Sequence, residues 1–137
     1  MLSSHGVVSR FGVDFVARRR PEGWDVRAVE INLRMGATTH PFLALRFLTG
    51  GELDPRTGAF PAPSGLAKCY RSTDTLFSPA YRGLLPEDLV EILTVNRLHY
   101  DDRKETGVLF HLIGALSEFG TVGLTAIGND MDEVERL

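Results

Sequence analysis

The sequence predicts an α+β fold that opens on an antiparallel hairpin, and three observations carry that expectation. Two β-forming runs, residues 6–17 and 24–31, flank the turn-forming Pro21-Glu22-Gly23. Short helical runs with their own start and stop signals follow. A second pair of strand-like runs, 107–116 and 121–127, surrounds Ser117-Glu118-Phe119-Gly120 near the C-terminus.

Each element has a local reason. Val7, Val8, Phe11, Val13, Phe15 and Val16 are β-formers without helical spacing, and Val26, Val29 and Ile31 continue the pattern after the turn. Beyond Gly36, Pro41 begins a short helix, because its missing N–H would be unbonded in a first turn anyway. Phe42, Leu45 and Leu48 recur there at helical spacing until Gly50-Gly51 stops the run. Residues 54–65 hold Pro55, Gly58, Pro61, Pro63 and Gly65, an irregular connection that places a domain boundary between 62 and 63. Residues 1–62 and 63–137 are then two domains. In the second, 66–73 reads as a strand and 86–93 as a helix with Glu87 and Asp88 at its positive end. Asn129 or Asp130 caps a last helix. The chain begins inside one element and stops inside another, which reads as truncation at both ends.

Composition narrows the function. The 137 residues are 43% hydrophobic and 24% charged, enough to bury a core and stay in solution. A net charge of -3 and a pI near 5.8 argue against nucleic acid or an anionic membrane as partner. No stretch approaches the roughly 20 apolar residues of a membrane helix, and Met1 to Arg10 read as having neither the apolar core nor the small-residue cleavage site of a leader. Cys69 is the single cysteine, so no intrachain disulfide forms and a reducing, cytoplasmic location is expected.

The first hairpin bears the chemistry. In a turn centred on Glu22, Asp14 and Glu30 are equidistant and face each other. Opposed carboxylates destabilise a sheet, more so beside Val13, Phe15, Val29 and Ile31. A divalent cation between them relieves the repulsion. Asn32, two residues beyond Glu30, projects from the same face. Two carboxylates and an amide are hard oxygen donors of the kind that hold magnesium beside phosphates. On the residues alone, two solvated carboxylates explain the pattern equally, since a register change of one residue would separate them. Thr38, Thr39 and His40 precede a helix N-terminus, where an anion such as a substrate carboxylate can sit or a threonine can simply cap.

Gly12-Val13-Asp14-Phe15 and, after the turn, Val29-Glu30-Ile31-Asn32-Leu33-Arg34 resemble the metal-binding hairpin of ATP-grasp carboxylate–amine ligases. Met35-Gly36-Ala37-Thr38-Thr39-His40-Pro41 and Gly107-Val108-Leu109-Phe110-His111-Leu112 are similar to peptide ligases of the pheganomycin type. The resemblance spans nearly all of this chain and the closing part of such an enzyme. It implies that 1–62 is the C-terminal segment of an ATP-grasp domain, hairpin plus short helix, and that 63–137 is a small α/β C-terminal domain. It further implies ATP and two magnesium ions as cofactors, with Glu30 bridging both ions, Asp14 on one and Asn32 on the other. Arg34 would neutralise charge on the transferred phosphoryl group or acyl-phosphate, and Arg10 would point toward the same site. Carboxylate and amine substrates would join through an acyl-phosphate, with an N-terminal ATP-grasp half supplied in cis or in trans.

That half carries the adenine pocket and phosphate-binding lysines, for which Lys68 and Lys104 are poor substitutes, so the chain alone is expected not to ligate. A non-catalytic binding or regulatory module of the same fold is the alternative. A metallohydrolase is the weakest option, because His5, His40, His99 and His111 have no zinc-ligand spacing. Cys69 has a basic neighbour in Lys68 but no assignable histidine, which disfavours a nucleophile.

Overall fold

A two-stranded and a three-stranded antiparallel sheet organise the chain. The computed structural model describes residues 3–6 and 10–137. Contacts divide it into two compact units, Met1–His40 and Pro41–Leu137.

The first unit is the hairpin of β1 (Gly12–Arg20) and β2 (Gly23–Asn32). The expected strand from 6 to 17 passes through 7–9, which lie outside the described residues, and Gly6 itself sits in a turn. At its other end β1 runs further than expected, through Arg18, Arg19 and Arg20. The pairing of Arg20 with Gly23 leaves only Pro21-Glu22 as the turn. Asp25 holds this end together, with its carboxylate 3.4 Å from Arg20 and 3.1 Å from Arg27. A register shift between Asp14 and Phe15 interrupts the ladder.

The second unit is built around a sheet of order β3-β5-β4, comprising β3 (Cys69–Phe77), β4 (Gly107–His111) and β5 (Thr121–Gly128). Central β5 is buried along most of its length. Ile127 packs with Leu45 of α1 (Thr39–Thr49) and with Phe60. The alternation of side chains puts Val122 and Ala126 on the other face. Val122 meets Leu89 of α2 (Pro86–Val95) and Leu116 of α3 (Leu116–Phe119), and Ala126 meets Val134 of α4 (Met131–Arg136). Helices thus cover both faces of an antiparallel sheet, an α+β arrangement.

The expected ends need several corrections. Helix α1 starts at Thr39 rather than Pro41 and stops at Gly50, whose φ of 65° lets its N–H reach the Arg46 carbonyl. β3 is displaced toward the C-terminus, covering 69–77 instead of 66–73. The strand expected over 107–116 ends at His111. Leu112 turns left-handed, with φ of 53°, and a 3-10 turn leads into α3. The gain is burial of Leu116, which has no exposed surface. Ser117-Glu118-Phe119-Gly120, expected as a hairpin turn, is mostly this short helix, closed by Gly120 in the left-handed region. Asp130 is the cap of α4, accepting from the Glu133 N–H at 2.7 Å.

The contact division at 40/41 differs in place from the boundary at 62/63 read from the sequence. The proline-rich 54–65 segment is irregular as expected, yet it delivers Phe60 to the core beside Leu45 and Ile127. Among the described residues, no helix is long and apolar enough to cross a membrane.

Candidate functional site in the first hairpin

The bulge decides which side chains share a face. From the turn, pairing runs regularly from Arg20↔Gly23 to Phe15↔Ala28, and the next pair is Asp14↔Glu30. Val29 is the extra residue. A ladder continued without it would set Asp14 against Val29 and send Glu30 to the opposite face. Asp14 therefore does face Glu30, but the turn is not centred on Glu22; a one-residue bulge restores the pairing. Gly12 faces Asn32, one step further along the same face.

Asn32 Nδ2 donates to Asp14 Oδ2 at 3.2 Å. The amide's oxygen and nitrogen exchange by rotation, so the same side chain can turn a carbonyl oxygen toward a cation. Asp14 and Glu30 are solvent-exposed and Asn32 is half-buried. Two carboxylates and an amide suit a hard cation that keeps water or phosphate oxygens as its other ligands. They do not make a closed protein cage, and among the described residues no three His, Cys, Asp or Glu side chains are grouped so as to hold a metal ion.

A cleft of about 570 Å³ opens beside Asp14 and Asn32. Arg10, Arg34, Thr38 and Thr39 are on its wall, with Phe11, Gly12, Gly36 and Ala37. The fold thus gathers cations, a carboxylate and two hydroxyl-bearing residues around one opening. Thr39 braces the loop, its Oγ1 accepting from the Gly36 N–H at 3.2 Å while its own N–H donates to the Gly36 carbonyl at 2.9 Å. Glu30 adjoins the cleft only through Asp14 and is not on its wall, and His40 is exposed in the first turn of α1, also off the wall.

Two clusters in the second unit were not visible in the sequence. Lys68 has a fully buried side chain, and its ammonium lies 2.9 Å from both Glu105 Oε2 and Asn129 Oδ1. It also donates to the Lys104 and Glu105 carbonyls at 3.3 and 3.4 Å. The Ser64 hydroxyl, and after it Lys68, holds the Glu105 carboxyl below its ordinary value. The second cluster crosses the sheet, where His111 Nε2 lies 2.9 Å from Asp74 Oδ1, over Gly123. A lysine in a strand-like run is the sequence hint of the first, and the apolar run around His111 reads as that of a hydrogen-bonded core histidine, though it does not name Asp74 as the partner. Burial, followed by Asp130 and Glu133, raises the Cys69 pKa, so its thiol stays protonated at neutral pH.

Residues 88–137 match the PGM1 C-terminal domain family. Over 136 residues the chain is 32% identical to an L-propargylglycine--L-glutamate ligase of Streptantibioticus cattleyicolor, covering 98% of this chain and 27% of that protein. The chain is similar to the pheganomycin-type ligases. It corresponds to the C-terminal part of such a ligase and spans about a quarter of the length of the curated relative it matches. No solved structure matches it. The matched family domain starts inside α2 and takes in β4, α3, β5 and α4, while its sheet partner β3 lies before the matched stretch.

Proposed function

We propose that this chain is part of an ATP-dependent carboxylate–amine ligase and contributes the magnesium- and phosphate-facing hairpin. One observation carries the reading: the bulge at Val29 sets Asp14 opposite Glu30, with Asn32 bonded to Asp14 on the same face. The ligase name of the Streptantibioticus cattleyicolor relative supplies the reaction class, which comes to this chain as part of the proposal.

Asp14, Glu30 and Asn32 would hold magnesium, which neutralises charge on the ATP phosphates when bound. Arg34 and Arg10, on the cleft wall, would meet the phosphoryl group in transfer with fixed positive charge. In the reaction a substrate carboxylate oxygen attacks the γ-phosphorus and ADP leaves. An amine nitrogen then attacks the acyl carbon, phosphate leaves, and the nitrogen loses a proton. Thr38 and Thr39, on the cleft wall, would orient the acid, and His40 would take part only if the first turn of α1 brought it inward. The fold assigned on this reading is ATP-grasp, and the location cytoplasmic.

Lys68 is committed to its buried network and so is not available to bind phosphate. The purified chain is therefore expected to bind magnesium–ATP weakly and to turn over none. Calorimetric titration with magnesium–ATP tests the assignment. Weak, magnesium-dependent binding should disappear in Glu30→Gln; unchanged binding in that variant removes Glu30 from the site.

A further inference from the structure

The larger unit carries a groove that the ligase reading does not use. The pairs Arg71↔Ala126 and Thr73↔Leu124 put these four side chains on one face of the sheet. β3 is an edge strand, which leaves Arg71 and Thr73 at the margin of that face. Helix α4 is six residues long and packs Val134 on Ala126, whereas Leu124, further along β5, is only half-buried. A space of about 340 Å³ remains between β3, β5 and α4, at the small end of the roughly 300–1,000 Å³ of ligand sites. Its apolar lining is Leu124, Ala126 and Val134, and its polar lining includes Arg71, Thr73 and Glu135. Arg71 Nη1 donates to Glu135 Oε1 at 3.0 Å, joining the sheet to α4. That pair uses one guanidinium nitrogen and one carboxylate oxygen, and its side chains are 65% and 59% exposed. Each group keeps capacity for further bonds, and an exposed ion pair is too weak to resist a competing one.

We propose that this groove binds a free α-amino acid with an apolar side chain. The carboxylate lies on the Arg71 guanidinium, the ammonium on the Glu135 carboxylate, and the side chain on Leu124, Ala126 and Val134. A zwitterion matches the two opposite charges that this pair sets side by side, whereas a singly charged ligand is attracted by one and repelled by the other. The Thr73 hydroxyl gives the carboxylate a second donor. None of these residues belongs to the hairpin or its cleft, so the proposal is independent of the ligase reading. It gives the larger unit a ligand of its own.

Amide chemical-shift titration of the full chain with L-leucine tests the proposal. Saturable shifts should centre on residues 71–73, 124–126 and 134–135. N-acetyl-L-leucine and L-leucinamide, each lacking one charge, should bind about tenfold more weakly, the loss of one bond to a charged group. Arg71→Gln and Glu135→Gln should each weaken L-leucine binding similarly, and Glu30→Gln should leave it unchanged. The capped ligands are compared on the natural chain, so the test holds even if a variant fails to fold. An absence of saturable shifts, equal binding of the capped forms, or shifts centred on the hairpin would each overturn the proposal.

Discussion

Single residues decide contacts that composition hides. Gly123 sits under the His111 ring, and a Cβ there would lie 2.3 Å from ring carbon Cδ2. Gly123→Ala must therefore displace the imidazole and break its bond to Asp74, at a cost of about 1–3 kcal/mol for an overpacked site. Denaturant unfolding should reveal that loss. Glu105 makes the second residue-scale prediction. Its folded pKa lies below the ordinary 4.5, through the Ser64 hydroxyl and then Lys68. The unfolded chain then binds the proton more readily. Stability from this group is present above 4.5 and is lost as pH falls through the lower folded value. Asp54 and Asp101, lowered chiefly by the backbone N–H groups of Arg56 and Arg103, add the same sign. Unfolding midpoints measured down through the acid range should fall less steeply in Glu105→Gln than in the natural chain. Neither Gly123 nor Lys68 could be assigned from sequence, since their partners are distant in the chain and joined only by the sheet.

At the scale of elements, the hairpin was legible because its turn residues and β-formers are local. Its register was not: the turn lies at Pro21-Glu22, and Val29 restores the facing pair. That identity of Val29 gives an unusual expectation. Deleting Val29 closes the ladder with Asp14 still opposite Glu30, so magnesium–ATP binding should survive by calorimetry. Deleting Ile31 instead turns Asn32 to the other face and should weaken it. The reverse outcome would mean that Val29 is not the extra residue. Strand β4 was misjudged for a different reason. Its apolar run through Leu116 suits either strand or buried helix, and burial against Leu89 and Val122 selected the helical turn.

The molecule as a whole divides into a small hairpin unit and a larger unit with its own core. The strand-like and helical runs with their turn signals predicted an α+β chain, while Phe60, within the proline-rich connection, packs with Leu45 and Ile127 in the larger unit. The family match covers the larger unit's C-terminal half, whereas the residues proposed for chemistry all lie at or before His40. The proposed function therefore rests on residues of the smaller unit. The most direct measurement is paramagnetic broadening of backbone amide signals on adding manganese, which can replace magnesium at oxygen ligands. Amides around Asp14 and around Glu30 and Asn32 should broaden together and first, and Glu30→Gln should abolish the effect. Broadening confined to one strand, or appearing first at Asp101 and Asp102, would contradict a shared cation site.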